Sequence, residues 1–419
     1  MSENLSKTLF KHKFNLAETS VIIPNSSTKK NHKASEGFMD GEERDGWYRL
    51  FKPLYWAWQG NDMLEYYDVL ARISVSKNSR SDDAVLDSVV GFRSGNWSYE
   101  WTQQGMHHQK KGKEYASLGN DELAKKSYHQ ASQFYSLASY PHLKTDELSI
   151  QAQLLAFSNY RKSFEYEKKS LLKEIKIPYQ GKDIICYLHL PDDHDIHSVV
   201  IVTGGVETLQ CDFFTLFDQY LAPAGIAMLT VDIPGCGFSS SVKLDQHSSD
   251  LHKAVIEHMK KVPWVDHDRI ALMGMRFGGN IVTRLAFLEP NSIRAVVSIG
   301  GAVNEVFKKV EDFNELSPMM LDCLASRMQL PNSDADKIYQ KCVPFSLVTQ
   351  GLLSKRRIKM PILSIGHKDD LLCKEDDLNL IARASYFGEA KIIKKAPVFE
   401  SYLESMAYSM TWLSKHLEE

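Results

Sequence analysis

Several features that define specialised protein classes are missing from this 419-residue chain. No run of about eighteen apolar residues occurs, the length needed to cross a bilayer, and the first seven residues carry no apolar signal segment. Lysine and arginine total 50 against 53 acidic residues, and a net charge of -3 gives no reason to expect nucleic acid or an anionic membrane as a partner. We therefore expect neither secretion nor membrane insertion.

The cysteines are few and scattered. No CxxC pair and no metal-ligand spacing occurs among them, so we expect reduced thiols, no metal site and no cofactor. Together with the missing signal segment, this pattern predicts a cytoplasmic protein. The six cysteines are Cys186, Cys211, Cys236, Cys323, Cys342 and Cys373.

The first 168 residues combine a polar arm with helical periodicity. Residues 1–40 are polar and are expected to form an extended arm. In 41–168, apolar residues recur at three- and four-residue spacing, which predicts a helical cap domain. Five of the seven tryptophans lie there, and we expect them to form its core rather than an aromatic ligand cage. They are Trp47, Trp56, Trp58, Trp97 and Trp101.

From residue 169 onwards the pattern changes to short apolar runs separated by helical stretches. The region 169–419 is therefore predicted to be an α/β domain with a mostly parallel, doubly wound sheet and a helical insertion near 303–355. An antiparallel pair, 175–178 and 184–190, is expected to open this sheet. The remaining predicted strands are 199–202, 227–231, 270–273, 295–299 and 362–365, and the predicted helices include 212–221, 249–261 and 402–417.

The segment Gly274-Met275-Arg276-Phe277-Gly278-Gly279 has the layout of a nucleophile elbow, the sharp strand-to-helix turn of Gly-x-Ser-x-Gly sequences. Its glycines suit the strained backbone of such a turn. Arg276 stands where the nucleophilic serine belongs. Because a guanidinium stays protonated and has no lone pair to offer, Arg276 can act only as a charge and a set of hydrogen-bond donors.

Further candidates lie in loops at the carboxyl ends of the predicted strands, where ligands bind in open α/β sheets. Gly204 and Gly205 are candidates for an oxyanion-binding loop, together with the backbone of Phe277 at the elbow. Asp232 and Ser239 are secondary candidates in the next loop.

A Ser-His-acid hydrolase also needs an acid after a late strand and a histidine near the last helix. Asp369 and Asp370 are the acid candidates. No histidine occurs between residues 392 and 412, and His367 and His416 are expected to be solvated surface residues. The sequence thus predicts a degenerate triad.

Two roles for Arg276 stay open. At a helix N-terminus, its guanidinium can grip a carboxylate or phosphate of a ligand. Alternatively, Arg276 forms an internal salt bridge with Glu207, Asp232 or Asp370, because a buried arginine without an anion would be very costly. Both hold if a ligand carboxylate displaces the protein's own.

The chain resembles the FrsA family of fermentation–respiration switch proteins over almost its whole length. The resemblance implies an α/β-hydrolase fold with an N-terminal helical region and carboxylesterase activity. A disputed cofactor-independent pyruvate decarboxylase activity, and binding to the glucose-specific phosphocarrier of the sugar phosphotransferase system, have also been described for the family. The motifs that carry the resemblance are 5–10, 47–49, 94–101, 140–144, 225–232, 262–267 with the Gly-x-Arg-Phe-Gly elbow, and 324–327.

The elbow arginine belongs to the family pattern, and the family register makes Asp370 the acid rather than Asp369. The chain departs from the pattern around the expected crevice. Glu207 replaces an aspartate, residues 233–235 replace Met-Pro-Ser, Leu371 replaces a proline and residues 399–400 replace Tyr-Arg.

Three functions follow from these observations. The first is a carboxylic-ester hydrolase in which water attacks, Arg276 and the loop amides hold the oxyanion, and Asp370 or Glu207 acts as base. The second is a non-catalytic regulator that binds a small carboxylate or other anion and a partner protein. The third is a decarboxylase of 2-oxo acids, in which Arg276 polarises the substrate.

Overall fold

The computed structural model describes residues 39–144, 146–330, 334–354, 357–368, 370–393 and 398–418. The polar arm predicted for 1–40 lies outside these residues except for Met39 and Asp40, so the arm stays a prediction. Among the described helices, none combines the length and apolar character needed to cross a membrane.

The N-terminal part of the described chain is helical. Asp62, Asn96, Asn120 and Asp146 each cap a helix by accepting hydrogen bonds from backbone N–H groups of its first turn. The helices are α1 (Pro53–Trp58), α2 (Met63–Ser74), α3 (Trp97–Ser117), α4 (Asp121–Ser139) and α5 (Glu147–Phe164).

The tryptophans of this region contribute to the apolar core, as the sequence predicts, but Trp56 also lines the cavity described below. Trp97 and Trp101 are fully buried, and Trp56 is nearly so. Trp47 is partly buried against the same core, while Trp58 packs against the second apolar cluster beneath the C-terminal helix.

One eight-stranded sheet organises the remainder of the chain, in the order β1-β2-β4-β3-β5-β6-β7-β8. β2 pairs antiparallel with β1 and β4, and all later neighbours are parallel. The strands are β1 (Leu171–Tyr179), β2 (Lys182–Leu190), β3 (His197–Thr203), β4 (Ala227–Thr230), β5 (Val265–Met275), β6 (Ala295–Ile299), β7 (Ile362–His367) and β8 (Gly388–Ile393).

Helices cover both faces of the sheet. The helix predicted for 212–221 is wrong in its detail, because residues 210–224 form four consecutive short pieces of 3-10, α and π geometry. The regular helices are α6 (Ser249–Met259), α7 (Phe277–Leu288), α8 (Val310–Phe313), α9 (Pro318–Arg327), α10 (Ala335–Cys342), α11 (Glu375–Arg383) and α12 (Val398–Glu418). Of these, α8 to α10 lie in the insertion predicted near 303–355.

Two apolar clusters stabilise this arrangement. The larger cluster runs from the helical region onto one face of the sheet and includes Trp97, Tyr160 and Ile201. The smaller cluster lies on the other face, beneath α12 and the 210–224 segment. The helical region and the sheet therefore share one core.

Candidate active site

The elbow has the geometry that its glycines predict. Arg276 adopts φ 57° and ψ −119° between β5 and α7, a backbone conformation that is strained for a side chain. A Cβ on Gly274 would lie 2.2 Å from the carbonyl oxygen of Gly278, and one on Gly278 would lie 2.5 Å from that of Thr203. Only glycine fits at both positions, so the strand, turn and helix can pack this closely.

The Arg276 side chain is buried between two carboxylates. Its Nη1 donates to Asp370 Oδ2 at 2.8 Å and to the carbonyl oxygen of Gly300 at 3.2 Å. Its Nε donates to Asp40 Oδ1 at 2.9 Å, and Nη2 also contacts the Asp40 carboxylate. Arg276 is only 2 % exposed. These pairs outweigh the cost of burying the guanidinium and raise the pKa of Arg276 further above its ordinary value.

Asp370 is one of the three partners that the sequence left open for Arg276. Its side chain is fully buried, and its Oδ1 accepts hydrogen bonds from the backbone N–H groups of Leu372 and Cys373 at 2.9 and 2.8 Å. Because Asp370 is paired with Arg276 and does not line the cavity described below, its position favours a positioning role over the predicted role as base. The alternative acid, Asp369, lies outside the described residues.

Asp40, the last residue of the predicted polar arm, is a second partner of Arg276. Burial raises the pKa of its carboxyl, although the Arg276 charge opposes the shift. The two residues are 236 positions apart in the chain. No local pattern around Asp40 marks such a contact.

Glu207 pairs with a different cation from the one the sequence suggested. Its Oε1 accepts a hydrogen bond from Lys52 Nζ at 2.8 Å, and its carboxylate lies against Gly205. Burial alone would raise the pKa of Glu207, but Lys52, with a smaller contribution from Arg276, lowers it overall. Its Oε2 has no hydrogen-bond partner among the described residues.

The secondary candidate Asp232 does not pair with Arg276, which corrects that alternative. Its oxygens accept hydrogen bonds from the backbone N–H and side-chain amide of Gln210, at 2.7 and 3.0 Å, and from the backbone N–H of Phe238, at 2.8 Å. Burial raises its pKa to about 7. Ser239 is fully buried in the same loop. Asp232 therefore orders the loop after β4.

The three residues predicted to form the oxyanion-binding loop lie in different surroundings. The carbonyl oxygen of Gly204 accepts a hydrogen bond from the Gly278 N–H at 3.1 Å, which ties the loop to the elbow. The Phe277 ring packs against Phe307 and Phe345. Of the three predicted residues, Gly205 lines the cavity described next.

A cavity of about 150 Å³ lies between the helical region and the elbow. Aromatic side chains form much of its wall, and charged side chains from both parts of the chain meet there. The aromatic residues are Phe51, Tyr55, Trp56, Tyr140, Phe213, Phe399 and Tyr402. The ionisable residues that line it besides the tyrosines are Glu42, Lys52, His142, Glu207, Asp212 and Arg276.

Asp212 is a candidate that no sequence motif marks, since the pattern predicts only the start of a helix at this residue. Its carboxylate accepts hydrogen bonds from Ser136 Oγ and from the Leu209 N–H, both at 2.9 Å. Burial raises its pKa to about 6, with a contribution from the charge of Glu207. A shifted carboxyl in a cavity is typical of catalytic sites. Its position on an irregular segment left no motif to find it by.

A hydroxyl–imidazole pair also lies close to the cavity. Ser139 Oγ is 2.6 Å from His142 Nδ1 and 2.9 Å from the carbonyl oxygen of Ser136. Burial and the charges of Arg327 and Lys52 lower the pKa of His142 well below its ordinary value. His142 lines the cavity, whereas Ser139 is fully buried at the end of α4. This pair orders the turn after α4.

Comparison with known proteins identifies the family of this chain. A family model described as "Esterase FrsA-like" matches residues 1–418. The chain belongs to the FrsA-like esterase family. Its relatives include "Esterase FrsA" of Photobacterium profundum, 38% identical over 416 residues that cover 99% of this chain and 98% of the relative. "Esterase FrsA" of Vibrio vulnificus is 40% identical over 421 residues, covering 100% and 99%. The predicted family is thereby confirmed.

A solved structure supports the fold of this FrsA-like chain. The structure of 2,6-dihydroxy-pseudo-oxynicotine hydrolase superposes with a TM-score of 0.69 at 16% sequence identity, over 87% of this chain and 95% of that one. At this identity the likeness concerns the fold alone. The predicted α/β-hydrolase fold with a helical N-terminal region is confirmed.

Proposed function

We propose that this FrsA-like protein hydrolyses small carboxylic esters in the cavity between the helical region and the elbow, by direct attack of water. The observation that carries the proposal is the meeting of Lys52, Glu207 and Asp212 on the cavity wall beside Arg276. Membership of an esterase family supports the reaction class.

The elbow supplies a charge in this proposal and no nucleophile. Arg276 uses four of its five N–H donors on Asp40, Asp370 and Gly300. Since it has no lone pair and its charge is already paired, it neither attacks nor grips the substrate. Its role is to hold the loops around the cavity in place.

Asp212 is the general base of the proposed reaction. Its carboxylate takes a proton from a water molecule while the water oxygen bonds to the ester carbonyl carbon. The negative charge that develops on the carbonyl oxygen is stabilised by the Lys52 ammonium, which keeps two further N–H donors beside its bond to Glu207. The carbon–oxygen bond to the alcohol then breaks, and the departing alkoxide recovers the proton from Asp212.

The different environments of the two cavity carboxylates support this assignment. A base is most effective when its pKa lies near the working pH, and the pKa of Asp212 is about 6. Lys52 lowers the pKa of Glu207, so Glu207 stays ionised and is the weaker base. Its unpaired Oε2 is suited to orient the attacking water.

The test is the hydrolysis of phenyl acetate by purified wild type and Asp212→Asn. We expect the variant to lose about 10²–10⁴-fold in rate, the range for removal of a general base. The wild-type rate should rise with pH through about 6, as Asp212 ionises. Asp218→Asn, an exposed change on the same segment, is the matched control and should keep the wild-type rate. Equal rates for Asp212→Asn and the control, from parallel purifications, would refute the assignment.

A further inference from the structure

Three buried polar atoms on the cavity wall have no hydrogen-bond partner among the described residues. They are Gln133 Nε2, Tyr140 Oη and Glu207 Oε2. Their residues are 3 %, 4 % and 4 % exposed, and all three line the cavity. Burying a polar group without a partner is costly, so atoms arranged in this way indicate a place for a ligand.

The two donors come from the same side of the cavity. Gln133 lies on α4 and Tyr140 immediately follows it, seven positions later. Gln133 reaches the cavity from the helix itself and Tyr140 from the residue that caps its C-terminus. Burial raises the pKa of Tyr140 well above its ordinary value, so its hydroxyl keeps its proton. Together these groups suit an uncharged oxygen acceptor.

The charges around the cavity disfavour an anionic ligand. The two cations, Lys52 and Arg276, are already paired, Lys52 with Glu207 and Arg276 with both Asp40 and Asp370. Asp212 adds a further carboxyl to the wall. Carboxylates thus outnumber the cations, so an entering carboxylate would lose its hydration and meet a wall whose net charge is negative.

The size and the walls of the cavity indicate a ligand with one aromatic ring. An engineered apolar cavity of about 150 Å³ in another protein binds benzene. The volume here is about 150 Å³, and the side chains of Phe51, Trp56, Phe213 and Tyr402 offer aromatic faces and edges.

We propose that this cavity selects neutral ligands with one aromatic ring and an uncharged carbonyl group, and that it rejects carboxylates of the same shape. Gln133 and Tyr140 recognise the acceptor, while Glu207 Oε2 receives a donor of the ligand or a water molecule. The extension of this inference to substrates, which would be aryl esters, rests on the proposed function. The selectivity itself is a binding property.

The first test compares benzamide with benzoate, which have nearly the same shape and differ in charge. Isothermal titration calorimetry at neutral pH should show benzamide binding at least about tenfold more tightly, a difference of about 1.4 kcal/mol. Pyruvate should bind no better than benzoate. Benzoate binding as tightly as benzamide, or neither compound binding, overturns the inference. Because benzamide is not an ester, this result is independent of whether the protein hydrolyses phenyl acetate.

The second test is Tyr140→Phe, with Tyr66→Phe as its control. Both tyrosines are buried and have hydroxyl groups without a described partner, but Tyr66 does not line the cavity. Tyr140→Phe should weaken benzamide binding by about three- to tenfold, the loss of one hydrogen bond. Its unfolding midpoint should stay unchanged or rise, since no intramolecular bond is lost. Unchanged benzamide binding by Tyr140→Phe, or an equal loss in Tyr66→Phe, contradicts the recognition role.

The third test changes the charge of the wall. Glu207→Gln leaves the Lys52 ammonium without its carboxylate, so benzoate should gain affinity relative to benzamide. If the ratio of the two affinities stays at the wild-type value, charge does not set the selectivity.

Discussion

At the scale of single residues, Arg276 shows how a change of one side chain alters what a turn can do. The strained backbone of the elbow is kept, while the side chain is held by Asp370 and Asp40. The strain and the glycine contacts follow from the residue types, and for this reason the turn was predictable. The Asp40 contact was not, because it joins positions 236 residues apart.

Replacing Arg276 tests how much its ion pairs with Asp40 and Asp370 stabilise the fold. Arg276→Met leaves two buried carboxylates without their cation, and we expect a loss of about 3–5 kcal/mol in the free energy of unfolding. Urea denaturation at neutral pH measures it. Arg294→Met, at an exposed position, should change stability by less than about 0.5 kcal/mol. Equal stabilities for the two variants would show that the ion pairs contribute little.

Asp232 provides a prediction for the pH dependence of stability. Burial raises its pKa in the folded chain from 3.8 to about 7. The contribution of protonated Asp232 to the free energy of unfolding is therefore complete below about pH 4, and it is lost as the pH rises through about 7. Asp232→Asn cannot ionise, so the wild-type stability minus that of the variant should decrease across this interval. A difference that is constant with pH contradicts a raised pKa, whatever the variant's overall stability.

At the scale of elements, buried strands were the easiest to predict, and the edge strand and the irregular helical segment were the hardest. β3 and β5 contain continuous apolar runs, whereas β8 lies at the sheet edge with mostly half-buried residues and was not predicted. The 210–224 segment has apolar residues at helical spacing but breaks into short pieces, and Pro223 lies in the last of them. For the same reason, the sequence pattern did not mark Asp212 as a candidate.

Arg327, at the end of α9, connects the helical region to the sheet. Its guanidinium donates to the carbonyl oxygens of Pro141 and His142 at 2.9 and 2.7 Å, and to that of Val206 at 2.8 Å. Arg327→Lys keeps the charge but cannot reach all three acceptors. We expect a loss of about 1–3 kcal/mol in the free energy of unfolding, and Arg294→Lys should change it little. Wild-type stability in Arg327→Lys would show that the connection is dispensable.

At the scale of the whole molecule, the family and the α/β-hydrolase fold were predictable because motifs in many separate segments carry the resemblance. The cavity was not, since its walls come from distant parts of the chain, as in the pair of Lys52 and Glu207, 155 positions apart. The predicted interaction with the phosphocarrier protein stays a prediction.

The shared core leads to an expectation for unfolding. Because one apolar cluster includes residues of the helical region and of the sheet, the two parts should unfold together. Differential scanning calorimetry should show a single transition. Two separated transitions would mean that the predicted division into 41–168 and 169–419 also divides the stability.

We propose that the elbow, with a paired arginine in place of serine, supplies no nucleophile, so that water attacks the ester directly. Treatment of the active protein with a fluorophosphonate, followed by peptide mapping and a phenyl acetate assay, tests it most directly. We expect no modified serine, including Ser136 and Ser139, and full remaining activity. Stoichiometric labelling of one serine with parallel loss of hydrolysis would contradict it.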